Sequence, residues 1–332
     1  MANVLVIGGA GYVGSAACAR LLDQGHSVWV LDDLSTGHRE FLSRLHLEKR
    51  FIHARAGDRK AVSELLKKTP FDCAMHFAAK ALVAESVQKP LEYFENNVEQ
   101  TRVLLETLLD HDVPRFIFSS TCAIFGDPGT SSIDEELPKK PINPYGETKL
   151  EAEKLMARLA KERGLRAIAL RYFNAAGAEP KLRVGEWHEN ETHLIPNILK
   201  AALSGKAVDV YGTDYPTPDG TCVRDYVHVS DLAAAHVAAM TRLLREPGDH
   251  GKFEACNLGS ECGYSVKEVI RACEKVTHQK INTVEKPRRS GDPPRLVANS
   301  RLAKKELEFE IRFPLEEIVR TAWEWEKNGK HR

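Results

Sequence analysis

The feature of this sequence that most constrains its fold is the alternation, through its first half, of short apolar runs with segments of helical period. Six runs rich in β-branched and aromatic residues are typical of strands, and they lie at residues 4–7, 27–31, 50–54, 71–77, 115–119 and 166–171. The clearest helix is Pro144–Arg163, which proline opens and Gly164 ends. Strands and helices alternating in this way predict an α/β fold of the Rossmann type, with a doubly wound parallel sheet.

Composition and charge exclude several classes of protein. The 332 residues are 42% apolar and 28% charged, which is ordinary for a globular chain and unlike a disordered or collagen-like one. Lysine plus arginine and aspartate plus glutamate both total 47, so there is no net field for a polyanion and we expect no nucleic-acid partner. No apolar run reaches the length that spans a bilayer, so we expect no membrane association.

The N-terminus and the cysteines favour a cytoplasmic protein. A strand-like run begins within a few residues of Met1, without the charged and long apolar regions of a signal peptide. The seven cysteines contain no C-x-x-C pair, and a chain of this size needs no disulfides, so we expect free thiols. Neither the cysteines nor the 13 histidines show ligand-like spacing, and no metal site is predicted.

A glycine motif stands directly after the first predicted strand, where a helix begins. Gly8, Gly11 and Gly14 form G-x-x-G-x-x-G, and the absence of side chains allows backbone N–H groups to approach a pyrophosphate. Asp32 ends the second strand, where a carboxylate accepts hydrogen bonds from an adenosine ribose and repels a 2′-phosphate. A tight turn without a ligand is the alternative for the glycines alone, but the order of strand, turn, helix, strand and aspartate favours NAD.

Two further acidic residues are candidates for the adenosine end of this cofactor. Asp33 is either a cofactor ligand or a solvated loop acid. Asp58 stands at the end of the third predicted strand, after Ala56 and Gly57, and is the better candidate for the adenine edge.

The second half of the chain has a different character from the first. After about Tyr172 the sequence is irregular and interrupted by glycine and proline, as at residues 212–220. We therefore predict an NAD-binding Rossmann domain at residues 1–175, to which later segments return, and a smaller, mixed substrate-binding region at residues 176–332. No linker or internal repeat separates them, so a cleft between two parts with a shared interface is expected.

Three residues form a candidate proton-handling group. Tyr145 and Lys149 are spaced Y-x-x-x-K, which puts both side chains on one helix face. A free phenol has a pKa of about 10, and a nearby ammonium favours its ionised form. Thr121 follows the fifth predicted strand, at the edge where open α/β sheets bind ligands. The alternatives are an exposed Tyr/Lys pair and a threonine that caps the following turn.

Seven segments along nearly the whole chain resemble one known family. They are GGAGYVGS at residues 8–15, ESVQKP at 85–90, NNV at 96–98, the Tyr145/Lys149 pair, RYFN at 171–174, DYPT at 214–217 and VRDY at 223–226. The later segments are more specific than the glycine motif. The sequence resembles the extended short-chain dehydrogenase/reductase family and, within it, the UDP-glucose 4-epimerases.

The resemblance implies an isomerase of galactose metabolism, which interconverts UDP-glucose and UDP-galactose at C4 through a 4-keto intermediate with bound NAD. It makes Tyr145 the base, Lys149 its electrostatic partner, and Thr121 the hydroxyl on the sugar O4. With the glycines and acids above, it implies a cofactor site of Gly8, Gly11, Tyr12, Val13, Gly14, Asp32, Asp33, Asp58, Arg59, Phe77, Ala78, Asn96, Lys149 and Tyr172. It implies a substrate site of Asn174, His193, Leu194, Tyr211, Arg224, Arg289, Asp292 and Leu296.

Independently of the resemblance, Arg224 and Arg289 suit a diphosphate because a guanidinium fork matches phosphate oxygens. For either arginine alone, a surface ion pair is the commoner role. The resemblance also implies a homodimer formed through helices near residues 91–109 and 145–163, which carry apolar surface.

The sequence departs from the family at three positions. Thr121 stands where some members have serine, which preserves the hydroxyl. Ala81 stands where many members have lysine, with Lys80 one residue earlier, so a contact from Lys80 to the pyrophosphate does not follow. Leu296 stands where some members have a tyrosine against the sugar and others a smaller residue, so the breadth of substrates is open.

Three other functions compete with this interpretation. Nucleotide-sugar 4,6-dehydratases need an added acid beside the active-site threonine, and here Cys122 and Ala123 follow Thr121. A sister 4-epimerase that acts on UDP-N-acetylhexosamine, UDP-pentose or UDP-uronate is the closer alternative. A catalytically inactive dinucleotide-binding regulatory protein is of a different class, and such a protein has no need of Thr121, Tyr145 and Lys149 together.

Overall fold

The structure is a computed structural model that describes residues 1–129, 132–246, 250–289 and 292–330. The strands are β1 Asn3–Ile7, β2 Ser27–Asp32, β3 Phe51–His53, β4 Cys73–His76, β5 Arg115–Thr121, β6 Arg166–Tyr172, β7 Asn174–Ala176, β8 Val208–Tyr211, β9 Val223–His228, β10 Lys252–Leu258, β11 Gly263–Ser265, β12 Thr283–Lys286 and β13 Arg295–Leu296. The α-helices are α1 Tyr12–Asp23, α2 Arg39–Arg44, α3 Arg59–Lys68, α4 Val83–Gln88, α5 Pro90–Phe94, α6 Gln100–Asp110, α7 Pro144–Arg163, α8 Leu194–Ser204, α9 Val229–Arg245, α10 Val266–Thr277, α11 Arg301–Leu307 and α12 Leu315–Glu324.

Seven parallel strands form the main sheet, in the order β10-β6-β5-β4-β1-β2-β3. The order reverses at β1, which lies between β4 and β2, so the sheet is doubly wound as the sequence predicts. All six strands predicted from the first half of the chain are present, with ends that differ by one to two residues. The seventh strand, β10, comes from the second half of the chain and pairs with β6.

Alternate side chains of the central strands enter two separate cores. Val4 and Val6 of β1 pack with α1, α2 and α9 on one face of the sheet. Leu5 and Ile7 pack with α3, α6 and α7 on the other face. Because both faces are covered, the central strands are apolar along their length rather than alternately polar and apolar.

The second half of the chain is more regular than its sequence suggests. Helices α8, α10 and α12 pack around a third core, which includes Ile198, Val269 and Ile318. Strand β9 pairs with β7, β11 and β13, and β8 pairs with β12. The hydroxyl of Tyr12 donates a hydrogen bond to the Gly177 carbonyl oxygen at 2.6 Å and connects the start of α1 with this region. The division into domains at residue 175 stays a prediction.

The helix α7, which carries Tyr145 and Lys149, has the bounds predicted from the sequence. The side chain of Asn143 caps it by accepting a hydrogen bond from the Gly146 N–H at 2.9 Å, and Pro144 occupies its first turn. Gly164 ends the helix in the left-handed conformation, with φ of +74°. These signals fix the start of α7 and therefore place Tyr145 in its first turn.

All seven cysteines are unpaired, as predicted, and Cys262 is exposed. Among the described residues, no helix is both long enough and apolar enough to cross a membrane.

Candidate active site

The predicted cofactor and catalytic residues follow the carboxyl ends of five neighbouring strands. Gly8 comes directly after β1, and Phe77 directly after β4. Asp32, Thr121 and Tyr172 are the last residues of β2, β5 and β6. Because the strands are parallel, these five positions lie along one edge of the sheet, where open α/β sheets bind ligands.

The glycine turn is shaped by two close backbone approaches. Gly8 has φ of +81°, and a Cβ at this position would lie 2.4 Å from the Ala78 backbone nitrogen. A Cβ at Gly14 would lie 2.1 Å from the Gly8 carbonyl oxygen. At Gly11, in contrast, the nearest described atom would be 3.4 Å away. Internal packing therefore does not require glycine at position 11, and its missing side chain leaves the first turn of α1 open to a ligand.

Asp32 is held with its carboxylate at the edge of this turn. It is 7% exposed and accepts hydrogen bonds from the backbone N–H groups of Ala10 at 3.0 Å and Leu34 at 2.8 Å. Burial raises the pKa of this carboxyl, and the two N–H donors oppose that shift. Each oxygen accepts one described bond, which leaves capacity for the two hydroxyls of a ribose. The glycine cradle and this carboxylate fit a dinucleotide with an unphosphorylated ribose.

The three residues predicted at the adenosine end make contacts within the protein. Asp33 accepts a hydrogen bond from the Ser35 N–H at 2.9 Å. Asp58 was expected at the end of a strand, which is wrong: β3 ends at His53, and Asp58 caps α3 by accepting from the Ala61 N–H at 3.0 Å. Arg59 is more than half exposed, and its guanidinium lies 3.5 Å from the carboxylates of Glu106 and Asp110.

Three further predicted cofactor residues come from different parts of the chain. They are Phe77 after β4, Asn96 before α6 and Tyr172 at the end of β6. The ring of Phe77 lies 4.7 Å from that of buried His236, and the ring of Tyr172 lies 6.2 Å from it on another side. The Tyr172 hydroxyl contacts the hydroxyl of Ser119. Asn96 lies in a π-helical turn and donates to the Asn97 side-chain oxygen at 3.0 Å. Ala78 and Val13, also predicted here, pack against the cores on the two faces of the sheet.

Thr121 and Tyr145 meet beyond the end of β5. The Thr121 hydroxyl accepts a hydrogen bond from the Ala123 N–H at 3.1 Å, so the predicted alternative that it caps a turn is observed. Burial raises the pKa of Tyr145 above its usual value, and the Thr121 hydroxyl lowers it in part. The sequence predicts that positive charge lowers the pKa of this phenol. The chain alone does not lower it, so further positive charge is needed.

Lys149 is buried beneath this pair. Its side-chain nitrogen donates to the Ser119 carbonyl oxygen at 2.8 Å and lies 4.6 Å from the centre of the Phe118 ring. Burial lowers the pKa of Lys149 to about 7, and the Glu153 carboxylate opposes this shift. The exposed Tyr/Lys pair considered as an alternative is excluded, because Lys149 is only 3% exposed.

A buried ion pair holds α7 against the sheet, and the sequence analysis missed it. Glu153 accepts two hydrogen bonds from the guanidinium of Arg171 on β6, at 2.6 and 3.0 Å. Glu153 also accepts from the hydroxyl of Ser120 on β5 at 2.6 Å. The available signal was a carboxylate four residues after Lys149, on the same helix face.

The predicted substrate residues nearest the sheet lie at the start of the second half of the chain. Asn174 donates to the Asp225 carbonyl oxygen at 2.8 Å, which ties β7 to β9. His193 precedes α8 and contacts the carboxylate of Glu186, whereas Leu194 is the first, half-buried residue of that helix.

Two of the remaining polar substrate residues, Arg289 and Asp292, line a cleft, and each contacts one of the other two. Arg224 of β9 contacts the carboxylate of Asp292, and the guanidinium of Arg289 lies 4.0 Å from the centre of the Tyr211 ring. A cleft of about 410 Å³ is lined by residues that include Arg289, Asp292 and Tyr215. The Tyr215 hydroxyl in its wall is buried without a described hydrogen-bond partner. Arginines beside an open cleft of this size are suited to an anionic ligand.

The structure shows the contacts of two residues at which the sequence departs from the family pattern, Leu296 and Lys80. Leu296 is half-buried and pairs with Arg224 in the parallel register of β13 and β9. It packs beside Cys122 against a small core of Ile124, Phe125 and their neighbours. Lys80 forms an ion pair with Glu92 at 2.9 Å on the surface.

The amino-acid sequence matches the model of the NAD-dependent epimerase/dehydratase family over residues 4–259. The chain belongs to this family. It is also 47% identical to the UDP-glucose 4-epimerase of Halalkalibacterium halodurans over 330 residues, which are 99% of this chain and 96% of that protein. The resemblance to the UDP-glucose 4-epimerases is therefore confirmed.

Solved structures of epimerases give the same assignment of fold. The UDP-glucose 4-epimerase of Brucella ovis in complex with NAD is 42% identical with a TM-score of 0.92, over 97% of this chain and 98% of that one. The UDP-glucose-4-epimerase of Stenotrophomonas maltophila, with bound NAD and formylated UDP-arabinopyranose, is 37% identical with a TM-score of 0.93, over 98% of each chain. As a member of the epimerase/dehydratase family, this chain has the predicted Rossmann-type fold.

Proposed function

We propose that this chain is an NAD-dependent isomerase that interconverts UDP-glucose and UDP-galactose by inverting C4. The observation that carries the proposal is the meeting of Thr121, Tyr145 and buried Lys149 on one sheet edge, beside the Gly8–Gly14 turn and Asp32. The 47% identity to a protein named UDP-glucose 4-epimerase, over nearly the whole chain, supports the choice of reaction.

Tyr145 and Thr121 would handle the proton of the sugar hydroxyl at C4. Thr121 presents a hydroxyl that accepts a hydrogen bond from the Ala123 N–H, so its own proton remains available for the sugar oxygen. Tyr145 needs added positive charge to act as a base, because burial raises its pKa. Lys149, on the next turn of α7, is the chain's own source of that charge.

NAD supplies a reversible hydride acceptor when it is bound, and this allows passage through a 4-keto sugar without net oxidation. The residues that would hold it are the turn of Gly8, Gly11 and Gly14 at the pyrophosphate and Asp32 at the ribose. Phe77, Asn96 and Tyr172 would enclose its reactive end. Asp33, Asp58 and Arg59 remain candidates for its adenosine end.

The UDP portion would occupy the cleft beside β9. Arg224 and Arg289 would bind the diphosphate, with Asp292 positioning Arg224 through their direct contact. Asn174, His193 and Leu194 would line the path from this cleft to Thr121. The buried, unpartnered hydroxyl of Tyr215 is a further hydrogen-bonding group in the cleft wall.

Incubation of the purified chain with a panel of UDP-sugars tests the proposal most directly. We expect UDP-glucose and UDP-galactose to be converted into the same equilibrium mixture, as measured by anion-exchange chromatography of the products. Conversion of a UDP-pentose or UDP-N-acetylhexosamine alone would favour the sister 4-epimerase. Binding of NAD with no turnover of any sugar would favour the regulatory protein.

Purified protein is expected to carry NAD without its being added. A cofactor that is regenerated in each turnover has no need to leave, and the Gly8 turn and Asp32 form a site for it. Denaturation should release close to one dinucleotide per chain, as measured by enzymatic assay. Release of no dinucleotide, together with activity that depends on added NADP, would contradict this expectation.

Leu296→Tyr is expected to narrow the range of sugars. We place Leu296 at the C2 side of the sugar, where an N-acetyl group needs space. The native chain should convert UDP-N-acetylglucosamine more slowly than UDP-glucose, and the variant should lose the larger substrate because the added volume has nowhere to go. The measurement is kcat/KM for both substrates.

The control for Leu296→Tyr is Leu203→Tyr, which adds a tyrosine at an exposed position of α8. It should change neither kcat/KM. An equal fall of both values in Leu296→Tyr would mean that Leu296 serves the small core of Ile124 and Phe125 and does not select substrates.

We also propose a cytoplasmic homodimer. Val87, Leu91 and Phe94 on α4 and α5 expose 63%, 83% and 44% of their surfaces, and α5 packs against α7. Exposed apolar side chains on neighbouring helices are typical of a subunit interface. Light scattering should give twice the chain mass of 37.1 kDa, and Leu91→Glu should shift it toward the mass of one chain.

A further inference from the structure

Four potential metal ligands converge in the segment between β7 and α8. Glu186, His188, Glu191 and His193 each offer one ligand atom, and these four atoms all lie within 4.8 Å of one another. Both histidines direct Nδ1 toward the centre of the group. Glu186, His188 and Glu191 have no part in the proposed reaction, whereas His193 is also a candidate substrate residue.

The four side chains lie close enough together to share one ion. His188 Nδ1 lies 3.4 Å from an oxygen of Glu191 and 3.6 Å from Glu186 Oε1. His193 Nδ1 contacts the same Glu186 oxygen and lies 3.7 Å from Oε1 of Glu191, which is not the Glu191 oxygen nearest to His188. A zinc ion with bonds of about 2.0–2.1 Å to nitrogen and oxygen requires edges of about 3.3 Å. The contact between His193 and Glu186 is shorter than this edge, so these two side chains would separate when an ion binds between them.

The two carboxylates are buried, which makes a cation among them favourable. The side chains of Glu186 and Glu191 are 6% and 3% exposed, whereas those of His188 and His193 are 30% and 52% exposed. Within the described ranges, these two carboxylates form ion pairs with His188 and His193. Two neighbouring buried carboxylates repel each other unless positive charge lies between them.

Backbone contacts hold the two acids in place independently of any ion. The other oxygen of Glu191 accepts hydrogen bonds from the N–H groups of Thr192 and His193, both at 3.0 Å. The indole N–H of Trp325 donates to the Glu186 carbonyl oxygen at 2.8 Å. Pre-positioned ligands of this kind reduce the entropic cost of binding an ion.

We propose that Glu186, His188, Glu191 and His193 form a structural zinc site. Two imidazoles exclude magnesium and calcium, which prefer sites composed of oxygen ligands, and four protein ligands complete the tetrahedron that zinc prefers. The ion joins residues 186–191 to His193, which immediately precedes α8. Zinc therefore fixes the segment that leads into α8 and its first residue, Leu194.

The main experiment measures zinc directly in the full-length protein. The protein is stripped with a chelator and titrated with zinc against a chromophoric competitor, and thermal unfolding is followed in parallel. We expect one zinc per chain, no displacement by excess magnesium, and a rise in Tm on addition of zinc, because the ion binds the folded chain in preference to the unfolded one. Cobalt in place of zinc should give the strong visible absorption of a tetrahedral site.

His188→Gln and Glu191→Gln each remove one ligand and should weaken zinc binding by at least about ten-fold. The control is His111→Gln, which replaces a half-buried histidine at the end of α6 and should bind zinc as the native chain does. Circular dichroism of each variant without zinc checks that it is folded. These measurements do not depend on epimerase activity, so their outcome is separate from that of the proposed function.

The alternative is a network in which protonated imidazoles pair with the two carboxylates without a metal. It predicts no zinc-dependent rise in Tm and no stoichiometric binding by the native chain, and that result would overturn the proposal. Equal zinc affinity of the native chain and His188→Gln would also overturn it, because binding would then occur elsewhere. If a variant does not fold, the native titration and the cobalt spectrum still decide between the two.

Discussion

Replacing Tyr145 with phenylalanine is expected to lower kcat for the conversion of UDP-galactose by roughly 100- to 10,000-fold, the range typical of a lost general base. The substitution removes one oxygen atom and leaves the ring in place. Thr121 keeps its hydrogen bond from the Ala123 N–H, so the turn after β5 should not move. Steady-state kinetics, combined with measurement of bound NAD and of UDP affinity, test this expectation.

Binding should change little in Tyr145→Phe, because the role assigned to the hydroxyl is in the transition state. The matched control is Tyr226→Phe, which removes a phenol oxygen from a buried tyrosine in the core around α8, α10 and α12. That variant should keep near-native kcat. Near-native kcat in Tyr145→Phe would mean that another group, of which Thr121 is the nearest, removes the proton.

The sequence predicted the main sheet and α7 because their signals are local. Runs such as residues 4–7 are apolar at every position, which indicates strands covered on both faces, and the sheet has helices on both faces. Helix α7 has an asparagine cap, a proline in its first turn and a glycine after its last, and its bounds agree with the approximate ones predicted. Each of these signals acts within a few residues of the element that it defines.

The pKa values of the catalytic residues could not be predicted from spacing alone, because they depend on burial. The spacing of Tyr145 and Lys149 indicated that an ammonium would lower the phenol pKa. In the folded chain both groups are desolvated, which raises the pKa of Tyr145 and lowers that of Lys149. Burial of this extent depends on the packing of α7 against β5 and β6, where Glu153 contacts Ser120 and Arg171.

The four-residue group at Glu186 was missed for a related reason. Its pattern, E-x-H-x-x-E-x-H, matches neither the spacing of a helical metal site nor that of a cysteine-rich one. The residues converge because the segment before α8 folds back on itself without regular structure. Side-chain convergence in an irregular segment has no periodic signature in the sequence.

Lys149→Met is expected to reduce kcat at least as much as Tyr145→Phe, because it removes the chain's own positive charge beside the phenol. Methionine is similar in length to the lysine stem, so the space beside Phe118 stays filled. NAD content should also fall, since the resemblance to the family makes this lysine a ligand of the nicotinamide ribose. Lys154→Met replaces an exposed lysine of the same helix, and it should leave kcat and NAD content unchanged.

Lys149→Met also tests whether burial lowers the pKa of Lys149 in the folded chain. The pKa of Lys149 is about 7 in the folded chain and 10.5 in a solvated one. Between these pH values the unfolded chain binds a proton that the folded chain does not, so this group makes the free energy of unfolding increase with pH, by up to ~1.4 kcal/mol per unit. Urea unfolding of nucleotide-free protein at pH 7, 8 and 9 should therefore show the native chain gaining stability relative to Lys149→Met. Parallel curves of stability against pH for the two proteins would mean that Lys149 keeps its proton in the folded state. Its positive charge would then act on Tyr145 throughout this pH range.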